Sequence, residues 1–90
     1  MTTITHATNN NRFETVIDGH TAYLSYVDNG DVWVYDHTIV PSELGGRGLG
    51  KSLVKHALDY ARTHYKKIVP SCPFVAAYID KNPEYKDIVA

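Results

Sequence analysis

The chain has one cysteine, Cys72, in 90 residues, so no internal disulfide can staple it. A lone thiol suits a reducing compartment. No sign of charge dominates: 9 Lys+Arg against 10 Asp+Glu leave a formal net charge of −1 with histidine neutral. The charges are mixed along the chain, and Lys66–Lys67 is too short for the basic footprint of a nucleic-acid binder. No apolar run approaches the ~20 residues that a membrane span requires. The opening MTTITHATNNNRF has no basic segment followed by an apolar one, so no secretory signal is expected and the expected location is the cytoplasm. His6, His20, His37, His56 and His64 are scattered, without metal-ligand spacing to one another or to Cys72, and no metal is expected. The length allows one small domain and a modest core.

What is present is organised by period. Residues 1–11, rich in Thr and Asn, are expected to be a flexible N-terminus, with a single domain over 12–90. RFETVID alternates as a strand and ends on the turn signal Asp18-Gly19. HTAYLSYVD follows with Ala22, Leu24 and Tyr26 on one face, and Asn29-Gly30 signals a second hairpin. DVWVYDHTIV is a third strand that stops before Pro41. Apolar residues then recur at Leu49, Leu53, Val54, Ala57, Leu58 and Ala61, one face of a helix. KKIVP is a short strand after it, and strand–helix–strand implies a right-handed parallel crossover. Pro73 can open a second helix, PFVAAYIDK, and Asn82-Pro83 ends it. The expected fold is mixed α/β: a three-stranded antiparallel meander, a helix, a fourth strand parallel to the third, and short C-terminal helices.

The run GGRGLGKS, Gly45 to Ser52, fits G-x-x-x-x-G-K-[ST], the phosphate loop of nucleotide hydrolases. That loop needs a buried parallel strand before it and a second strand ending in a carboxylate for Mg²⁺. Here hairpin strands precede it, and the segment ending in Asp80 has helical spacing. A second reading is a helix start with packing glycines. It must explain Gly48 and Gly50 near the first helical turn, because glycine inside a helix costs up to ~1 kcal/mol. A third reading is anion binding by backbone alone. The free N–H groups and positive end of a helix attract phosphate, and absent Cβ atoms let it approach. In that reading Arg47 and Lys51 can add charge at the rim, while Lys51 and Ser52 are incidental as a metal-loop pair because no Mg²⁺ is required.

HTIVPSELGGRGLG followed by PSCPFVAAYIDKNPEY resembles the acetyl-CoA-binding motif of the GNAT superfamily of N-acetyltransferases, in particular its very small GNAT-like branch. The resemblance spans about residues 12–89. It implies transfer of an acetyl group from acetyl-CoA to a small-molecule or peptide amine acceptor. It implies that the backbone of Gly46, Arg47, Gly48, Leu49 and Gly50 holds the pyrophosphate. Ile39 and Val40 would pair with the pantetheine arm and Phe74 would line its other side, with Asn82 a cap or a further contact. The acceptor side is expected to be open, because there is no room for the extra helices of larger relatives. Gly45 departs from the pattern, which usually carries Gln or Arg there. A non-catalytic acyl-CoA-binding or interaction domain is the alternative.

Three side chains are candidates for chemistry. Cys72 stands before a helix N-terminus, which lowers a thiol pKa, and is either a nucleophile, an acid/base or a packed core residue. His37 has the parity of Trp33, Tyr35 and Ile39, so it is expected on their face as a proton acceptor or a structural group. Tyr78 resembles the tyrosine acid of the superfamily or is a core residue. The acceptor's identity and the oligomeric state leave no mark in the sequence.

Overall fold

A computed structural model describes residues 3–90. A five-stranded sheet runs in sequence order, β1 (Thr5–Ala7), β2 (Arg12–Ile17), β3 (His20–Asn29), β4 (Val32–Ile39) and β5 (Lys67–Val69). β1 to β4 are antiparallel, and β5 lies parallel to β4. Helix α1 (Leu49–Thr63) makes the crossover between them. Helix α2 (Pro73–Lys81) follows β5 and leads into a 3-10 segment, Pro83–Ile88. The expected meander, crossover and parallel strand are therefore all present.

The core is the alternation predicted for the meander. Phe13, Ala22, Leu24, Tyr26, Trp33 and Tyr35 are buried beneath Leu49, Leu53, Val54, Ala57, Leu58 and Ala61 of α1. The Tyr35 hydroxyl donates to the Ala57 carbonyl at 2.6 Å and ties β4 to the helix. Asp18 and Gly19 both have positive φ, as the tight turn joining β2 and β3 demands.

Three expectations are corrected. The second hairpin turns on Gly30-Asp31, because Asn29 pairs with Val32 and Gly30 carries the positive φ, so the turn lies one residue beyond Asn29-Gly30. The segment 1–11 is not wholly irregular: Thr5–Ala7 pairs with Arg12–Glu14 as an edge strand. His6 holds it there, with its Nε2 2.7 Å from the Tyr26 hydroxyl and its ring stacked on Phe13 at 4.3 Å. His37 does not share the face of Trp33 and Tyr35. Ser25 pairs with His37 but Tyr26 pairs with Tyr35, so Asp36 is an extra residue in β4. This β-bulge reverses the alternation beyond it.

Candidate active site

The bulge divides β4 into two halves. As far as Val34 the strand has a partner on each side, β3 and β5. The last link toward β5 is the Cys72 N–H, which donates to the Tyr35 carbonyl at 2.9 Å. From Asp36 to Val40 that edge has no further backbone partner among the described residues. Ser25 Oγ donates to Asp36 Oδ1 at 2.6 Å and pins the bulge. His37 and Ile39 become exposed, while Thr38, paired with the buried Leu24, turns toward the interior. Strand parity read from the sequence missed Thr38 because a bulge of this kind carries no signature of its own.

Thr38 meets Cys72. The thiol donates to the Thr38 hydroxyl at 3.5 Å, and the cysteine is only 5% exposed. Cys72 is the N-cap of α2, whose first residue is Pro73. Burial pushes the thiol pKa up, but the Thr38 hydroxyl and the N–H groups of Val75, Phe74 and Thr38 outweigh it, so the net shift is downward. The N–H groups of the first turn face the sulfur without closing a capping hydrogen bond.

Past Val40 the chain makes a 3-10 turn over Ser42–Leu44 and enters the glycine loop. The Gly45 N–H donates to the Ser42 carbonyl at 3.0 Å, and a Cβ at Gly45 would come within 3.2 Å of that oxygen. Gly46 (φ +80) and Gly48 (φ +71) are left-handed, and Gly48 is the N-cap of α1 rather than a helical residue. The first helical hydrogen bond runs from the Ser52 N–H to the Gly48 carbonyl. The N–H groups of Gly46, Arg47, Gly48, Leu49, Gly50 and Lys51 therefore have no acceptor among the described residues. A helix start with a run of free donors is a receptor for anions.

Side chains around the loop refine this. The Ser52 hydroxyl donates back to the Gly48 carbonyl at 3.2 Å, so it is spent on the helix rather than held for a metal ion. Arg47 reaches Asp18 at 3.4 Å, away from the loop. A Cβ at Gly48 would meet nothing within 4 Å, so its glycine is demanded by the positive φ. At Gly50 a Cβ would lie 2.8 Å from the Phe74 ring, so that glycine is demanded by close approach of α2.

Phe74 and Tyr78, one turn apart on α2, line a cavity of about 80 Å³ with Lys51, Ala77 and Lys81. Phe74 is 44% exposed, and Tyr78 is half-buried. No hydrogen bond joins Tyr78 to Cys72 among the described residues. Asn82 closes α2: its N–H and its side-chain amide both donate to the Tyr78 carbonyl, each at 2.9 Å. A larger hollow of about 410 Å³, lined by Pro70, Ala76, Ile79, Asp80, Lys86 and Val89, lies along another stripe of α2 and includes none of the loop. The chemistry-bearing groups gather instead between the free half of β4, the start of α1 and the start of α2.

Known proteins share this fold. A family model described as GCN5-related N-acetyl-transferase matches residues 12–88. The NMR solution structure of a GCN5-like N-acetyltransferase candidate from Staphylococcus aureus matches with a TM-score of 0.75 and 32% identity, over 98% of this chain and 87% of that one. With the family model spanning nearly the whole chain and the fold reproduced in a structure 32% identical, this protein belongs to the GCN5-related N-acetyltransferase family and is an acetyltransferase.

Proposed function

We propose that the acetyl donor is acetyl-CoA and the acceptor a primary amine, either a small molecule or a peptide. The observation that carries this reading is the run of acceptor-free N–H groups from Gly46 to Lys51 beside the unpaired edge of β4. The residues fit the group. The loop donors suit a pyrophosphate without a metal ion, and the peptide groups at Ile39 and Val40 suit the amide-bearing arm. Phe74 and Tyr78 form the opposite wall. When bound, acetyl-CoA supplies a thioester carbonyl open to attack by an amine.

The protein's own contribution is orientation and proton handling. The free N–H groups on the unpaired edge of β4 are donors for a carbonyl oxygen, positioned in advance of the charge that develops there. An ammonium must lose a proton before it can act as a nucleophile. Cys72, its pKa lowered in spite of burial, accepts that proton, and the Thr38 hydroxyl holds the sulfur in place. Tyr78 lines the arm in this reading.

Titration with acetyl-CoA, CoA and Mg·ATP while following thermal unfolding tests the proposal. A ligand at a hundred times its Kd stabilises the fold by about 2.7 kcal/mol, several degrees of Tm for a domain of this size. Both CoA species are expected to raise Tm and Mg·ATP to leave it unchanged. Stabilisation by Mg·ATP alone would sink the reading. Labelled acetyl transfer to a panel of primary amines then identifies the acceptor.

A further inference from the structure

β1 is lightly held. It is three residues long, none of them fully buried, and it pairs only with β2. The rest of the sheet is tied together without it. The Asn11 carbonyl accepts the Tyr26 N–H at 2.9 Å, so the chain is fixed to β3 just after the turn Thr8–Asn10. Asn11 itself is left-handed, with φ +50. Ahead of that point Ile4 packs against the core, and the His6 ring stacks on Phe13 at 4.3 Å and stands edge-on to Tyr60 at 4.5 Å.

That seat suits a neutral imidazole. The His6 Nε2 lies 2.7 Å from the Tyr26 hydroxyl, which has no other partner among the described residues. Burial, with Tyr60 and Asp28 nearby, raises the Tyr26 pKa, so the hydroxyl keeps its proton and donates it to Nε2. An imidazolium has no acceptor nitrogen, and a proton on His6 breaks this bond or reverses it. The surroundings offer no counter-ion. From β2 and β4 the ring meets Phe13 and Trp33, and Lys66 stands over Trp33 at 5.6 Å. From α1 it meets Tyr60, on which His64 is stacked at 3.9 Å, while His56 lies 5.6 Å from Phe13. Asp59 is held by Lys55 and Tyr85, and Glu14 by Arg12. No carboxylate lies within ion-pair distance of His6 among the described residues. Burial lowers the His6 pKa, and charge on His56 and His64 lowers it further.

We propose that β1 is an acid-released edge strand: as the histidine cluster takes up protons, His6 leaves its seat and Thr5–Ala7 swings out on Thr8–Asn10. Release uncovers the backbone edge of β2, which becomes the open margin of the sheet. The cluster lies beside Trp33, not beside the free half of β4, so the proposal stands independently of the acetyl-CoA reading. The sign follows from linkage. A pKa lowered from 6.5 in the docked state leaves docking at full strength above that pH and weakens it as pH falls below.

Amide hydrogen exchange of the full chain, followed by NMR from about pH 8 to about pH 5 and expressed as protection relative to an unstructured chain at each pH, tests this. Protection in β1 and on the facing edge of β2 is expected to fall by up to about tenfold by about pH 5.5, where a free imidazole is about 90% protonated. Leu53 to Ala61 in α1 should keep theirs. His6→Phe keeps a ring against Phe13 but cannot titrate, so its protection should be flat with pH. The double variant His56→Gln, His64→Gln retains His6 and should shift the loss to lower pH. Circular dichroism checks that each variant is folded; were His6→Phe unfolded, the wild type and the double variant would decide alone. Flat protection in the wild type, an equal loss in α1, a loss that persists in His6→Phe, or an unshifted loss in the double variant each overturns the proposal.

Discussion

β4 is one strand with two environments. From Val32 to Tyr35 it is paired on both sides, and Trp33 and Tyr35 are buried against α1. Beyond the bulge at Asp36 it is paired on one side only, from His37 to Ile39, with His37 and Ile39 exposed. The first half is framework and the second is the candidate site. The pairing with β5 stops at Val34–Val69, where β5 ends, and a single inserted residue just beyond, Asp36, reverses which side chains face inward. The framework half satisfies its backbone groups internally, whereas the site half keeps donors and acceptors free for a ligand. A chain this small thereby obtains a binding cleft without additional elements.

Variants in the two halves should fail in different ways. The largest effect is expected in the framework. Tyr35→Ala removes a fully buried ring and its bond to Ala57, and should cost about 3–5 kcal/mol in denaturant unfolding. A loss below about 1 kcal/mol would show that this half is not the structural one. Cys72→Ala should lower kcat/KM about a hundredfold or more through loss of a positioned proton acceptor, with a much smaller change in Tm. Normal turnover by that variant would remove Cys72 from the chemistry, and an acetyl group found on Cys72 by mass spectrometry would make it a nucleophile instead of a base.

Thr38→Val should act through pH. The hydroxyl is one of the groups holding the Cys72 pKa down, so its removal raises that pKa. The thiolate then forms only at higher pH, and the acidic limb of the kcat/KM profile should move upward in pH. An unmoved limb would break the Thr38–Cys72 link. Ser25→Ala releases the side chain that pins the bulge and should cost about 1 kcal/mol in stability while weakening CoA binding. The smallest effect belongs to His37→Ala, an exposed position whose removal should change stability by less than about 0.5 kcal/mol and leave the pH limb in place.

The same division governs what the sequence reveals. The framework half obeys period two, so Trp33 and Tyr35 are legible as core, and the stripe from Leu49 to Ala61 is legible as a helix face. Asp18-Gly19 reads correctly because the turn needs positive φ at both residues. Asn29-Gly30 misleads by one residue, because only Gly30 takes that conformation and Asn29 stays in the strand. Beyond Asp36 parity fails, so His37 reads as facing the core and Thr38 as facing away. β1 escapes notice because Thr5–Ala7 is short and polar and depends on one histidine seated against Phe13 and Tyr26. The free donors at the helix start are legible, but the reasons for the individual glycines are not. Gly48 is required by its backbone angle and Gly50 by Phe74, and only coordinates separate those reasons.

In the proposed complex CoA is held by the loop donors and by the free half of β4. Backbone amide chemical-shift mapping by ¹H–¹⁵N NMR during titration with CoA tests it most directly in a chain of 90 residues. The largest shifts are expected on Gly46 to Lys51 and on Asp36 to Val40, with Val32 to Tyr35 nearly unmoved. Shifts centred on the hollow around Asp80 and Lys86, or spread equally over both halves of β4, would contradict it.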